Sequence, residues 1–352
     1  MAVILMASPA LAATFVYVGN AESSDIYVLQ LNRQTGDLTV VEHVPIPGVT
    51  TPGMSTPMAV SPDRRYLYVG TRGAPQIVAC FSIDPASGKL RHLGNAPLAD
   101  SMAYISTDRT GRFLFAASYP GHKLTVSPIG PQGVVQPTHQ ILSDHPNAHA
   151  ILADAGNHYV LASTLGNDLI NVFKFDQVTG TLQPNAPSSV HLHEKAGPRH
   201  FVFHPNGKHL YALAETEGAV YVFDYDSGRG SLDPKQTISA LPPGFTGSAA
   251  AADLHITPDG QFLYSSERTS STLSGFKIDV SGGSLTPIES IPTETVPRGF
   301  NIDSSGRYLL VVGQSSHRLS SYRIDPGTGK LTKLKEYQVG RNPNWIEIVD
   351  FA

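Results

Sequence analysis

The chain has 352 residues, of which 41% are hydrophobic and 15% are charged, and its formal net charge is −4. This composition supports a packed core, and the charge balance gives no reason to expect nucleic acid or an anionic membrane as a partner. Its 32 glycines and 27 prolines favour many short strands and tight turns over long surface helices. The single Cys80 excludes a disulfide within the chain and a metal site built from cysteines.

The first thirteen residues, MAVILMASPALAA, contain an apolar run followed by small residues in an Ala-x-Ala pattern. This pattern is typical of the end of a secretory signal peptide, although no Lys or Arg stands at its start. We therefore expect an export signal over residues 1–13 and a periplasmic or secreted protein; without such a signal the protein would be cytoplasmic. No later apolar run is long enough to predict a membrane span.

One phrase recurs along the chain in six copies. The copies are AVSPDRRYLYVGTR (59–72), YISTDRTGRFLFAASY (104–119), ILADAGNHYVLAST (151–164), FVFHPNGKHLYALAE (201–215), HITPDGQFLYSSER (255–268) and NIDSSGRYLLVVGQ (301–314). Each copy alternates apolar and polar residues into a turn and then becomes rich in Tyr, Phe and Leu, which is typical of a β-hairpin. The turn positions are Arg64, Gly111, Asn157, Gly207, Gly260 and Gly306, spaced 47, 46, 50, 53 and 46 residues apart.

A second pair of strand-like segments follows each hairpin, and four short strands in a repeat of this length indicate a propeller blade. Residues 14–23 match only the second half of the phrase, and residues 343–351 match only the first half. We therefore predict an all-β, seven-bladed β-propeller over residues 14–352, in which the N-terminal and C-terminal strands close one blade. Closure of this kind leaves no open sheet edge. The two longest repeats predict extended loops at 188–195 and 240–253.

Superposing the copies on the turn places polar outliers at equivalent positions. Eight residues before the turn stand Thr56, Ala103, His149, Arg199, Ala252 and Arg298, with Asn344 in the closing strand; eight residues after it stand Arg72, Tyr119, Leu165, Glu215, Arg268 and Gln314, with Asn20 in the opening strand. Both sets lie at the hairpin end remote from the turn, where all blades meet at one mouth of the central channel. The charged members predicted to ring this mouth are His149, Arg199, Glu215, Arg268 and Arg298.

Arginines beside a carboxylate and an imidazole indicate a site for an anion with a nearby acid/base group. The competing interpretation is that each charge is an ordinary solvated or ion-paired residue at a strand end.

Three other histidines are candidates: His200, His204, which the superposition places near the turn on the far face, and His255, which falls mid-strand and could line the channel. The sequence has no Gly-x-Ser-x-Gly elbow and no phosphate or dinucleotide loop, which disfavours a covalent serine mechanism and nucleotide chemistry.

Four long segments resemble the propeller-type lactonase family, which includes bacterial 6-phosphogluconolactonases and is similar to fungal carboxymuconate-lactonizing enzymes. The segments are AGPRHFVFHPNGKHLYALAE, AADLHITPDGQFLYSSERT, TETVPRGFNIDSSGRYL and YQVGRNPNWIEI. The resemblance covers the chain from Thr14 onward. It implies a seven-bladed propeller, lactone chemistry in carbohydrate metabolism such as the pentose phosphate pathway, and no required metal or organic cofactor.

The resemblance also implies a catalytic group of His149, Arg199, Glu215 and a second arginine. That arginine is Arg268 by motif, with Arg298 as its competitor. Where Arg298 is not catalytic, it becomes a candidate for binding a substrate phosphate or carboxylate. His255, Gln314 and Asn344 complete the predicted substrate-binding set.

We therefore expect hydrolysis of an anionic sugar-acid lactone, 6-phosphogluconolactone or a related aldonolactone, by a monomer or weak homo-oligomer. Water would attack the ring carbonyl with Glu215 or His149 as general base, while Arg199 and Arg268 stabilise the oxyanion. Two alternatives stay open: a muconate-type lactonizing reaction, and a non-catalytic propeller that binds an anion or an acidic partner.

Overall fold

The computed structural model describes residues 13–351, in which the regular elements are 28 β-strands and one short 3₁₀ helix at Leu165–Asn167. The predicted export signal lies outside the described residues except for Ala13. Among residues 13–351 no helix has the length and apolar character needed to cross a membrane.

The strands form seven four-stranded antiparallel sheets, which are the blades of a propeller. Blade 1 comprises Ala13–Asn20 (β1), Asp25–Leu31 (β2), Leu38–Pro45 (β3) and, from the other end of the chain, Pro343–Phe351 (β28). Blade 2 comprises Met58–Val60 (β4), Tyr66–Gly70 (β5), Ile77–Ile83 (β6) and Leu90–Pro97 (β7). Blade 3 comprises Met102–Thr107 (β8), Phe113–Ser118 (β9), Lys123–Pro128 (β10) and Gln140–Leu142 (β11).

The remaining four blades follow in chain order. Blade 4 comprises Ala148–Ala153 (β12), Tyr159–Thr164 (β13), Leu169–Asp176 (β14) and Thr181–His191 (β15). Blade 5 comprises Pro198–Phe203 (β16), His209–Ala214 (β17), Ala219–Asp226 (β18) and Ser231–Ser239 (β19). Blade 6 comprises Ala251–Ile256 (β20), Phe262–Glu267 (β21), Thr272–Ile278 (β22) and Leu285–Pro292 (β23). Blade 7 comprises Pro297–Ile302 (β24), Tyr308–Gly313 (β25), Arg318–Ile324 (β26) and Leu331–Gln338 (β27).

The ring closes through blade 1, where β1 pairs antiparallel with β28. The register runs from Ala13 opposite Phe351 to Gly19 opposite Trp345. The predicted all-β class, the seven blades and the split first blade are therefore confirmed. The predicted extra loops are partly wrong: residues 188–191 continue β15, and residues 251–253 begin β20, so only 192–195 and 240–250 lie outside strands.

The six predicted turn positions, Arg64, Gly111, Asn157, Gly207, Gly260 and Gly306, all adopt a left-handed backbone, with φ between 59° and 72°. In five of the six hairpins, a polar side chain three residues before this position accepts a hydrogen bond from the strand that follows the turn. In blade 5, His204 instead accepts from the amide of Asn206 within the turn. In blade 3, Asp108 Oδ1 accepts from the backbone amides of Arg112 (2.7 Å) and Phe113 (2.9 Å). The same arrangement uses Asp154 in blade 4 and Asp303 in blade 7. Turn chemistry of this kind explains why each copy of the phrase folds as a hairpin.

Each blade packs on the next through a repeated joint between an aromatic ring and a glycine. The first or third residue of the blade's second strand lies against a positive-φ glycine in the outer turn of the following blade. The seven pairs are Phe15 with Gly88, Tyr66 with Gly133, Phe113 with Gly180, Tyr159 with Gly230, His209 with Gly283, Phe262 with Gly329 and Tyr308 with Gly36. A side chain at the glycine would overlap the ring.

Around these joints, apolar residues from adjacent blades form shared cores. Between blades 5 and 6, for example, Tyr211 and Val222 pack in one buried cluster with Leu263 and Phe276. Tyr211 also donates a hydrogen bond from its hydroxyl to the carbonyl of Gly283, at 2.9 Å. Cys80 is fully buried in β6. The stability of each blade therefore depends on its neighbours.

Replacing Gly329 by alanine tests the joint. The new Cβ would lie 2.4 Å from Cδ1 of Phe262, at a backbone φ of +71°. We expect the free energy of unfolding to fall by about 2–4 kcal/mol, because overpacking adds to left-handed backbone strain. Urea unfolding measures it.

Gly244→Ala is the matched control, because Gly244 has a φ of +76° and no atom within 4 Å of a built Cβ. This variant should lose only about 1 kcal/mol, from backbone strain alone. Equal losses in the two variants would show that the aromatic contact contributes nothing.

Candidate active site

The mouth of the channel lies at the ends of the innermost strands that are remote from the hairpin turns. These strands are β28, β4, β8, β12, β16, β20 and β24, and each contacts its neighbour around the ring. In most of them the pairing with the second strand shifts register near the mouth. The shifts fall between Met102 and Tyr104, Ala148 and Ile151, Pro198 and Phe201, Ala251 and Leu254, and Pro297 and Gly299.

Such β-bulges interrupt the alternation of side chains between the two faces of a sheet. Five of the residues at the position eight before the turn, including His149, Arg199 and Arg298, lie inside these shifts. The bulges therefore re-aim the side chains at the mouth, as bulges near functional sites often do.

Two arginines hold one carboxylate at the centre of the mouth. Arg199 Nε lies 2.8 Å from Glu215 Oε2, and Arg268 Nη2 lies 2.9 Å from Glu215 Oε1. Burial by itself would raise the pKa of Glu215, but the charges of Arg199 and Arg268 outweigh it, so this pKa lies below its usual value. Glu215 is therefore a stable carboxylate that orients two guanidinium groups.

Arg199 is the most deeply buried of these charges, with a relative exposure of 1%. Its Nη1 donates to the carbonyl oxygen of Ala252 and lies 3.1 Å from His200 Nε2. Burial, together with the charge of Arg268, lowers the pKa of Arg199 to about 10, so the guanidinium stays charged at neutral pH. Arg268 is also tied to the backbone, donating from Nε to the carbonyl of Ala250 at 2.8 Å.

Two further arginines at the mouth have no carboxylate partner. Within residues 13–351, the half-buried Arg298 side chain makes no hydrogen bond or ion pair, and Arg72 makes only one hydrogen bond, 3.3 Å from Nε to Ser101 Oγ. Burial first, and then the charges of Arg199, Arg268 and Arg72, hold the pKa of Arg298 well below its usual value. Four guanidinium groups thus lie at the mouth, where only Glu215 is paired with any of them, and an incoming anion would relieve their repulsion.

His149 stands among these arginines with an unused ring nitrogen. The residue is 3% exposed, and its buried Nδ1 has no hydrogen-bond partner within the described part of the chain. Its ring meets those of His200 and Tyr119 edge to face, with centroids 5.1 Å and 6.1 Å away. Burial, followed by the charges of Arg199 and its neighbours, holds the pKa of His149 well below 6.5. The imidazole is therefore neutral at neutral pH and able to accept a proton.

The structure thus brings five predicted residues together, namely His149, Arg199, Glu215, Arg268 and Arg298. Gln314 and Asn344, two of the predicted substrate-binding residues, use their side chains to bond to other parts of the protein. Gln314 donates to Asn342 Oδ1 at 2.7 Å. Asn344 uses both ends of its amide on the backbone, accepting from the amide of Thr56 at 2.9 Å and donating to the carbonyl of Asn342 at 2.7 Å. It joins two blades and offers substrate no free polar atom.

His255 and His204 lie away from the mouth. His255 is further down the channel, with Nε2 3.4 Å from Asp253 Oδ2. His204 is buried near the turn end, where Nδ1 accepts from the amide of Asn206 at 3.0 Å and Nε2 lies 3.1 Å from the carbonyl of Gly260. His204 therefore supports the hairpin, and His255 belongs to the channel interior.

Behind the mouth, aromatic rings narrow the channel. Tyr104 meets His200 and Trp345 edge to face, each at 5.2 Å between centroids. These rings help to line a cavity of about 320 Å³, whose walls also include Asp253, His255 and Glu347. Burial raises the pKa of Glu347 to about 7. Within residues 13–351 no group of three or more His, Cys, Asp or Glu side chains is arranged to hold a metal ion.

The sequence analysis did not assign Arg72 or Asp253 to the site, and it left His200 as an alternative candidate. Arg72 was aligned with Glu215 and Arg268 but was not assigned to the site. His200 and Asp253 follow the aligned position by one residue, and simple strand alternation would turn them away from the mouth. The bulges reverse that expectation, and no signal in the repeat announces a bulge.

A family model described as lactonase, 7-bladed β-propeller, matches residues 13–348. The chain belongs to this family.

Several relatives with curated names are similar to this chain over nearly its whole length. A 6-phosphogluconolactonase of Serratia proteamaculans is 42% identical, and one of Pectobacterium carotovorum is 41% identical; each alignment covers 95% of this chain and 98% of the relative. Among solved structures, the periplasmic gluconolactonase of Pseudomonas aeruginosa superposes with a TM-score of 0.87 at 28% identity, covering 97% of this chain and 100% of that one.

Glu215→Gln tests the electrostatics of the lactonase mouth. Removing its single central carboxylate leaves the arginines mutually repulsive, and we expect a loss of about 1–3 kcal/mol in the free energy of unfolding. Added inorganic phosphate should restore part of this loss, because it supplies the missing negative charge. Thermal melting with and without phosphate measures both effects.

Glu217→Gln removes the same charge outside the mouth, where Glu217 pairs with the exposed His193. Phosphate should stabilise this control no more than it stabilises the unmodified protein. An equal phosphate effect on both variants would show that phosphate does not replace the lost charge of Glu215.

Proposed function

We propose that the protein is a lactonase that hydrolyses 6-phosphogluconolactone or a closely related aldonolactone at this mouth. The observation that carries the proposal is the grouping of four arginines, one carboxylate and one neutral imidazole at the channel end. Family membership and relatives named 6-phosphogluconolactonase support lactone chemistry. The excess of guanidinium groups suits a substrate that carries a phosphate.

The reaction needs a base, an oxyanion site and a proton donor for the ring oxygen. We assign the base to His149, whose unpartnered Nδ1 can take a proton from water as the water oxygen attacks the lactone carbonyl. Glu215 is less suited to this role, since its carboxylate is held in two ion pairs and its pKa is lowered. Its role is instead to hold Arg199 and Arg268.

Arg199 and Arg268 face the carbonyl oxygen as negative charge develops on it. Preorganised donors of this kind stabilise a tetrahedral intermediate without reorganisation during the reaction. The bond between the carbonyl carbon and the ring oxygen then breaks, and the ring oxygen takes the proton back from His149. The product is an open-chain acid, which loses a proton to solvent and leaves as a carboxylate.

Arg298, assisted by Arg72, is the proposed phosphate site. Neither side chain is paired with a carboxylate within residues 13–351, so binding a phosphate breaks no existing ion pair. A phosphate placed there would also reduce the positive field at His149, which Arg298 and Arg72 both contribute to. Substrate binding should therefore make the imidazole a stronger base.

Arg298→Gln tests the phosphate site. The KM for 6-phosphogluconolactone should rise by about 10–100-fold, as expected for the loss of a charge-assisted hydrogen bond to an anion. The kinetics with unphosphorylated gluconolactone should change by less than about threefold. Steady-state assays on the two lactones, with the spontaneous hydrolysis subtracted, measure the difference.

Arg229→Gln is the control for net charge, because Arg229 is exposed and lies beside Asp226 in an outer turn of blade 5. It should leave both substrates unaffected. Equal losses on both lactones in Arg298→Gln would place Arg298 in the chemistry rather than at the phosphate.

His149→Ala tests the base. General-base catalysis typically contributes 10²–10⁴-fold, so kcat should fall by about that factor. The pH dependence gives a second test: a base works only when deprotonated, and the pKa of His149 lies below 6.5 in the free protein. The acid limb of kcat/KM, which reports the free enzyme, should accordingly have its midpoint below 6.5.

An acid limb at or above 6.5, or wild-type kcat in His149→Ala, would remove His149 from the mechanism. Retained anion binding without hydrolysis of any lactone would instead identify a binding propeller.

A further inference from the structure

The guanidinium of Arg199 contacts the side chain of the next residue in the sequence, His200. Its Nη1 lies 3.1 Å from His200 Nε2, and His200 Nδ1 lies 2.7 Å from Asp253 Oδ1. All three residues are buried, with relative exposures of 1%, 6% and 8%. The chain of contacts runs from blade 6 to the oxyanion-binding guanidinium in blade 5.

The contacts around Asp253 fix the direction of these hydrogen bonds. Its carboxylate accepts from the backbone amides of Leu254 (2.9 Å) and Phe300 (3.1 Å), and His255 Nε2 lies 3.4 Å from Oδ2. Burial would raise the pKa of Asp253, but the neighbouring His255 and His200 hold it well below its usual value. Asp253 is therefore ionised and can only accept, so the proton between it and His200 lies on Nδ1.

This assignment decides the other end of the imidazole. A guanidinium has donors and no acceptor, so His200 must present a lone pair to Arg199. Only the neutral tautomer with its proton on Nδ1 satisfies both neighbours. Burial, together with the charge of Arg199, lowers the pKa of His200 to about 4, which agrees with a neutral ring.

We propose that Asp253 and His200 are positioning residues that orient the Arg199 guanidinium through a fixed imidazole tautomer. The inference rests on the proposed function, in which Arg199 stabilises the oxyanion. The bulge between Pro198 and Phe201 makes the arrangement possible, because Arg199 and His200 both lie in the shifted segment and reach the same interior. The same Nη1 also donates to the Ala252 carbonyl of blade 6.

Asp253→Asn tests the tautomer directly. An asparagine has one acceptor end, whereas Leu254, Phe300 and His200 all donate to the present carboxylate. With the amide nitrogen toward His200, the imidazole must accept on Nδ1 and carry its proton on Nε2, where it opposes the Arg199 donor. Nitrogen NMR of labelled histidine should show the Nδ1–H form in the unmodified protein and the Nε2–H form in the variant.

Kinetics supply the second readout. We expect kcat for 6-phosphogluconolactone to fall by about 10–100-fold in Asp253→Asn, with KM changed by less than about threefold, because a misplaced guanidinium affects the transition state most. His200→Ala should give a similar loss. His200→Gln should keep activity within about threefold, because its amide oxygen can accept from Arg199.

A double variant separates positioning from general damage to the fold. In the His200→Gln background no imidazole tautomer remains to be fixed, so Asp253→Asn should cost less than about threefold in kcat. We call the chain of contacts from Asp253 through His200 to Arg199 the relay. If the fall in kcat of the double variant equals the product of the falls in the two single variants, the relay is contradicted. An Nε2–H imidazole in the unmodified protein, which can be measured even if Asp253→Asn does not fold, would also contradict the relay.

The two proposals fail separately. If the unmodified protein hydrolyses no lactone, the proposed function fails, while the tautomer measurement still decides whether Asp253 and His200 form the relay. If lactones are hydrolysed and His200→Ala keeps wild-type kcat, the relay fails and the proposed function stands.

Discussion

The antiparallel pairing of β1 with β28 holds the two ends of the described chain together, and the geometry of the whole ring depends on it. With that blade complete, the innermost strands of all seven blades are held around one channel. Side chains far apart in sequence, such as Arg72 and Arg298, then meet at a single mouth. An unpaired end would expose a sheet edge and release this convergence.

Because these strands converge, four arginine side chains lie close together at the mouth, closer than exposed arginines on a flat surface would need to be. The four guanidinium groups at the mouth repel one another, and this repulsion opposes folding in the absence of an anion. The ion pairs with Arg199 and Arg268 offset part of this cost. A site built in this way is less stable empty than occupied, so binding energy and folding energy are linked through the same charges.

The fold could be predicted from the sequence because the turn that marks each copy of the repeat is also the turn of one β-hairpin. Superposing copies on Gly207 and its equivalents placed Arg199 and Glu215 at the mouth, where the structure has them. The positions of His200 and Asp253 could not be predicted in the same way. Their orientation depends on bulges of one residue, which change the facing of a side chain without altering the spacing of the repeat. The imidazole tautomer likewise depends on hydrogen-bond partners from other blades.

The glycine–aromatic joint has a consequence for how the ring can vary. Each blade carries both halves of the joint, a ring on its second strand and a glycine in its outer turn, so every interface is a head-to-tail copy of the others. Neither half involves the mouth. Tandem units joined in this way can each change their mouth-facing residues independently. One circular scaffold can therefore present a different combination of side chains from every sector while its joints stay the same.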